Sequence, residues 1–117
     1  MFTFVENYEF DWPVAVQYPG ASGDREATFT ARFRLVEEDE LFRSADAAAS
    51  FIERLAQDRE KWADRWIGWD GIRTEDGADL PFSPESRDRL LRQRPIREAI
   101  LRAYSDAVIY GGVEEKN

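Results

Sequence analysis

Carboxylates are the side chains in this chain best suited to chemistry, since its 117 residues include 24 Asp plus Glu but no Cys and no His. Without those two types there are no disulfides, thiolate zinc sites, cysteine nucleophiles or histidine-based triads. The Gly- and Asp-rich connection over 69–82 holds Asp70, Glu75, Asp76 and Asp79. Clustered oxygens suit a hard divalent cation, but a calcium loop needs acids at alternate positions around one glycine and a closing glutamate. That spacing is missing, and Asp70-Gly71 and Asp76-Gly77 are turn dipeptides. Carboxylate pairs also serve acid–base and glycosidic chemistry. Here such pairs follow from composition alone, and none sits in an apolar surround that would raise its pKa. Ser22, Ser44, Ser50, Ser83, Ser86 and Ser105 lack a nucleophile elbow and a histidine partner, and no glycine loop for phosphate is present. The expectation is a protein that is not an enzyme and carries no cofactor or metal.

Recognition residues are better represented. Arg87, Arg89, Arg92, Arg94, Arg97 and Arg102 outnumber Asp88 and Glu98 in one stretch of a chain whose 16 Lys plus Arg against 24 Asp plus Glu give 16 − 24 = −8. The first five of these arginines are candidates for docking an acidic partner, because charge steers association. The competing reading is solvated helix faces with i,i+4 ion pairs. Net charge of this sign repels phosphate backbones and argues against nucleic-acid binding. Trp12, Trp62, Trp66 and Trp69 are a heavy aromatic load for a small domain. Trp66 and Trp69 read as core, while Trp62 stays open between core packing and an exposed partner anchor.

The elements that must position these residues follow from periodicity. Phe2, Phe4, Tyr8, Phe10, Trp12, Val14, Val16 and Tyr18 all fall on even positions, the period of a half-buried strand. The spacing predicts a strand over 9–18, with Pro13 marking an edge or a break, and residues 1–8 as a loose arm or an extra strand. A turn at 19–25 leads into alternation on odd positions: Ala27, Phe29, Ala31, Phe33 and Leu35. The two runs form an antiparallel hairpin with one aromatic face, which needs a cover. Acidic residues 37–40 suit the first turn of a helix, and Ser44 or Asp46 is positioned to cap the next. Ala48, Phe51, Ile52, Leu55, Trp62 and Trp66 then predict an amphipathic helix of about 20 residues, bending near 57–59 and ending near Ile67-Gly68. A small hairpin around Asp76-Gly77 sets Ile72 against Leu80. Ser83-Pro84-Glu85 opens a short helix to about Arg92, and Pro95 opens another, stopped by Gly111-Gly112. Residues 113–117 read as a frayed tail. The fold class expected is α+β in a single domain: an N-terminal antiparallel β-hairpin packed on a C-terminal bundle of three to four helices. The first residues lack the basic leader and apolar run of a targeting segment, and no stretch reaches the ~20 apolar residues of a membrane span, so a cytoplasmic protein is expected.

Taken in order, several blocks resemble a known family. They are the Phe29-Thr30-Ala31-Arg32-Phe33-Arg34 strand, Ile67-Gly68-Trp69-Asp70-Gly71-Ile72, Glu75-Asp76-Gly77, Leu80-Pro81-Phe82-Ser83, the Pro95-Ile96-Arg97 helix with Ala99-Ile100 and Ala103-Tyr104, and a polar tail. Over residues 9–117 the chain is similar to the tail assembly chaperones of tailed phages and prophages. The resemblance implies a protein that binds the tape measure protein, keeps its long helices soluble and helps the tail-tube protein polymerise around it. It further implies action in the host bacterial cytoplasm and absence from the mature virion. The family has no catalytic residues to carry over, and Gly68, Trp69, Gly71, Pro81, Phe82 and Pro95 match as structural positions. The alternative is a structural head–tail connector or tail-completion component of the virion. The free edge of the hairpin adds an expectation of homo-oligomers by strand pairing.

Overall fold

The structure, a computed structural model, describes residues 1–20, 27–43 and 48–110. Two strands, β1 (Glu9–Val16) and β2 (Ala27–Arg34), pair antiparallel from Glu9↔Arg34 to Val16↔Ala27. The predicted alternation holds: Val14, Val16, Ala31 and Phe33 are buried, and Glu9, Asp11 and Thr30 are exposed. β1 stops two residues before the predicted end, and exposed Tyr18 instead donates its hydroxyl to Gln93 Oε1 at 2.7 Å. Residues 1–8 form neither helix nor strand. Asn7 takes a left-handed backbone (φ 56°), a conformation asparagine tolerates. The predicted turn at 19–25 lies mostly outside the described residues.

The main departure from expectation is the long helix. A one-turn α1 (Glu38–Leu41) has the expected acidic first turn, but α2 spans only Phe51–Glu60. Ser50 caps α2: its hydroxyl accepts from Glu53 N at 3.1 Å, and Glu53 Oε1 accepts from Ser50 N at 2.8 Å. This reciprocal box settles the start; Ser44 and Asp46 lie outside the described residues. After α2 the chain tightens into a 3-10 turn, Lys61–Ala63, and becomes a third strand, β3 (Trp66–Asp70).

β3 pairs antiparallel with β2, giving a three-stranded sheet in the order β1-β2-β3. Arg32 faces Gly68 and Phe33 faces Trp66, so Ile67 is an extra residue, a bulge. Side chains three apart in a regular strand point to opposite faces, and one inserted residue returns them to the same face. The bulge thereby sends both Trp66 and Trp69 toward the core. Gly68 permits the close strand approach, since a Cβ there would lie 3.3 Å from Arg32 Cβ.

The helices cover one face of this sheet. Ser83 caps α3 (Pro84–Leu91), its hydroxyl accepting from Ser86 N at 3.0 Å, and proline follows at the first helical position. α4 (Arg94–Val108) carries Ile96, Ala99, Ile100, Ala103 and Tyr104 on its buried side, the i, i+3, i+4 stripe read from the sequence. These join Val14, Val16, Ala31, Phe33, Trp62, Trp66 and Leu91 in one core. Tyr104 is its hub: Phe33 and Trp62 meet its ring edge-on at 5.1 and 5.4 Å. The Asp76-Gly77 hairpin forms as predicted, with Leu80 N donating to Ile72 O at 2.9 Å and Gly77 at φ +89°. Trp69 ties that hairpin to the sheet by donating Nε1–H to Leu80 O at 2.8 Å and packing against Phe82 at 4.9 Å. The fold class is α+β. Gly111-Gly112 and the tail beyond lie outside the described residues.

Candidate functional site

Most of the residues singled out for partner docking turn out to have structural work. Trp62 is 1% exposed and meets the ring of Tyr104 on α4 edge-on, so it presents no anchor on the surface of this fold. Arg87 reaches across from α3 to donate to Trp66 O at 3.1 Å and lies over the Phe82 ring at 5.6 Å. Burial lowers its pKa, an effect that Asp88 and the more distant Asp64 partly oppose. Arg97 donates to Leu91 O at 3.2 Å. Arg92 pairs with Asp88 at 3.0 Å and Arg94 with Glu98 at 2.7 Å, both at i,i+4 spacing. Asp88 also receives Arg59 Nε at 3.2 Å, which ties α2 to α3. Among the described residues Arg89 has no side-chain partner, and it is exposed. Of the six arginines in the stretch, Arg92 and Arg94 make the i,i+4 ion pairs of the competing reading, and Arg87 and Arg97 bond backbone carbonyls.

The acidic connection behaves as turn chemistry. Asp76 accepts from the Thr74 hydroxyl and from Ala78 N, and these hydrogen bonds, the Thr74 one foremost, hold its carboxyl below the usual aspartate value. Asp79 approaches Arg73 at 3.9 Å. Among the described residues no trio of Asp or Glu lies close enough to hold a metal ion.

One surface groove was not read from the sequence. A groove of roughly 620 Å³ opens between the N-terminal arm and the segment joining β2 to α1. Phe4, Val5, Tyr8, Leu35 and Val36 supply its apolar lining, and Glu6, Glu37, Glu40, Asp64 and Arg34 its charges. The Leu35 N–H donates to Tyr8 O at 2.8 Å, which extends the β1–β2 ladder by one pair and roots the arm. The far wall is pinned from the core: the Tyr104 hydroxyl donates to Arg34 O at 2.7 Å and accepts from Val36 N at 3.3 Å. Arg65, only 6% exposed, lies near the Trp62 and Tyr104 rings and donates to Glu40 O at 2.6 Å, fixing α1 at the groove. Arg34 is engaged by Glu9 at 3.6 Å and by the Asp64 carbonyl at 3.3 Å. Glu40 pairs with Arg43 at 2.6 Å. The carboxylates of Glu6, Glu37 and Asp64 have no ion pair or hydrogen bond among the described residues.

No protein-family model, curated protein or solved structure matches this chain.

The surface is unusually apolar in two places. Phe2 is 84% and Phe4 72% exposed on the arm, and Phe51 is 67% and Ile52 71% exposed at the start of α2. The stripe predicted to bury Phe51 and Ile52 fails because the chain turns into β3 soon after Glu60, so only the Trp62 end reaches the core. A continuation of the even-position aromatic pattern to Phe2 and Phe4, beyond the strand it defines, was the available signal for an apolar arm.

Proposed function

We propose that this chain is a non-catalytic assembly chaperone of the tailed-phage kind. It holds the tape measure protein soluble in the host bacterial cytoplasm while the tail-tube protein assembles around it. The observation that carries this reading is the set of large apolar side chains held in solvent on α2 and on the arm, the latter forming one wall of a groove with an apolar lining. Large exposed apolar groups on a small folded domain mark a surface that other polypeptides cover. A net charge of −8 keeps such a surface in solution until a partner arrives. No helix among the described residues is long and apolar enough to cross a membrane.

Self-association through the hairpin edge is the weaker partner mode. β3 occupies the outer edge of β2, which leaves the edge of β1. With Tyr8 and Leu35 hydrogen-bonded, the odd residues of β1 direct their backbone groups outward. Pro13 is one of them, so its missing N–H leaves a gap in the middle of any ladder built there.

Mass spectrometry of an infected or induced lysate and of the purified particles tests the proposal. A chaperone is abundant in the lysate and absent from the particle. Stoichiometric recovery from finished particles overturns it in favour of a connector or tail-completion component.

A further inference from the structure

The geometry points to a specific occupant for the groove between the N-terminal arm and the β2–α1 segment: a Lys- or Arg-bearing apolar segment of another polypeptide. This deepens the chaperone reading and rests on it for the partner's identity, though not for the partner's chemistry. The groove's volume of roughly 620 Å³ lies within the ~300–1,000 Å³ range of binding clefts. Its walls are apolar at Phe4, Val5, Tyr8, Leu35 and Val36, which calls for an apolar occupant.

The charges select its sign. Arg34 is matched by Glu9 and Glu40 by Arg43. Glu6, Glu37 and Asp64 remain as exposed carboxylates without an ion pair or hydrogen bond lining the same groove, Asp64 sharing only the longer-range field of Arg87, and Glu38 and Asp39 follow directly in the first turn of α1. An acidic or neutral peptide leaves these carboxylates without partners or repels them. Among the described residues they are too dispersed to share one inorganic cation. Lys and Arg solve both requirements, because they lay an apolar stem along a hydrophobic wall and carry the charge out to its rim. The chain's own last residues, Val113-Glu114-Glu115-Lys116-Asn117, hold more acid than base and are repelled. A second copy, at net −8, approaches against the same field.

The test uses the full chain and two fluorescein-labelled amphipathic peptides of identical length, one of Leu and Lys and one of Leu and Glu, with binding followed by fluorescence anisotropy. The Leu/Lys peptide binds and the Leu/Glu peptide does not. The triple change Glu6→Gln, Glu37→Gln and Asp64→Asn weakens binding of the Leu/Lys peptide by about fivefold or more. A control triple removing the same charge elsewhere, Glu75→Gln, Asp79→Asn and Glu85→Gln, weakens it by less than about twofold, as expected for screened distant charges. Phe4→Ser, which alters no charge and removes an exposed ring, weakens it by about threefold or more. Equal losses from both triples, full affinity in Phe4→Ser, or tight binding of the Leu/Glu peptide each overturn the assignment. The two readings fail separately. Groove variants that still keep a co-expressed tape measure protein soluble refute the groove and leave the chaperone standing. Groove-dependent peptide binding by a chain that does not solubilise that protein leaves the groove standing and refutes the chaperone.

Discussion

Tyr104→Phe removes one oxygen from the centre of the molecule and should be felt at the groove. The ring stays, and with it the edge-on contacts to Phe33 and Trp62, so apolar packing is nearly unchanged. The lost hydroxyl donates to Arg34 O at 2.7 Å and accepts from Val36 N at 3.3 Å. The first bond is short and the second long, and both are partly buried. Leaving a buried group unsatisfied costs about 1–3 kcal/mol, and water can reach the Val36 side, so a loss of about 1–2 kcal/mol is expected. With a urea slope of about 1–3 kcal/mol/M for a domain of this size, the midpoint falls by roughly 0.3–2 M when unfolding is followed by tryptophan fluorescence. Burial raises the Tyr104 pKa above its ordinary 10.0, outweighing the lowering by its hydrogen bond with Val36 and by Arg65. The folded state therefore holds the phenolic proton more tightly than the unfolded chain. Its contribution is fully present below about pH 10 and is lost as pH rises through the folded pKa. Tyr104→Phe should erase that alkaline loss. Because Arg34 and Val36 form one wall of the groove, affinity for the Leu/Lys peptide should fall as well. A midpoint within about 0.2 M of wild type would refute the view that this hydroxyl pins the wall.

Three further outcomes follow from the packing. Trp62→Ala should cost about 3–5 kcal/mol in denaturant unfolding; Trp62→Phe should cost clearly less, because it keeps the ring contact with Tyr104 and removes an indole N–H that is buried without a partner. A stable Trp62→Ala protein with selectively lost partner binding contradicts the core assignment. Asp88→Ala should destabilise by about 1 kcal/mol by freeing both Arg59 and Arg92, against about 0.3–0.5 kcal/mol for Arg92→Ala; equal losses from the two changes contradict a bridging role. Pro13→Val restores a donor on the open edge of β1, so light scattering across a concentration series should show stronger self-association than wild type. Identical profiles would show that proline is not what guards that edge.

The hairpin, the Ser83 cap and the final helix were legible in the sequence because each rests on a local rule, whereas the α2 cap is Ser50 and not Ser44 or Asp46. Alternation marked β1 and β2, Ser83-Pro84 marked the start of α3, and the 3.6-residue stripe marked α4. β3 was hidden because Trp62, Trp66 and Trp69 are spaced like one face of a helix. Only the bulge at Ile67, a property of pairing with β2, lets strand residues Trp66 and Trp69 share a face. Charge counting over residues 87–102 likewise does not tell a paired arginine from an unpaired one. Whether an arginine is free depends on where its partner sits, and Arg87 finds Trp66 O on β3, 21 positions away in sequence. The groove escaped notice for the same reason. Its walls come from the arm, the β2–α1 segment and the turn before β3, and a hydroxyl on α4 fixes one of them. No single window of sequence contains it.

Co-expression with a tailed-phage tape measure protein tests the proposed function most directly. Soluble tape measure protein is quantified after centrifugation, with wild type, with the Phe2→Ser/Phe4→Ser variant, and with no partner. The account predicts that wild type keeps it in the supernatant and co-purifies with it, and that the arm variant, folded but stripped of its exposed rings, does so markedly less. Equal insolubility with and without the wild-type chain would contradict the account.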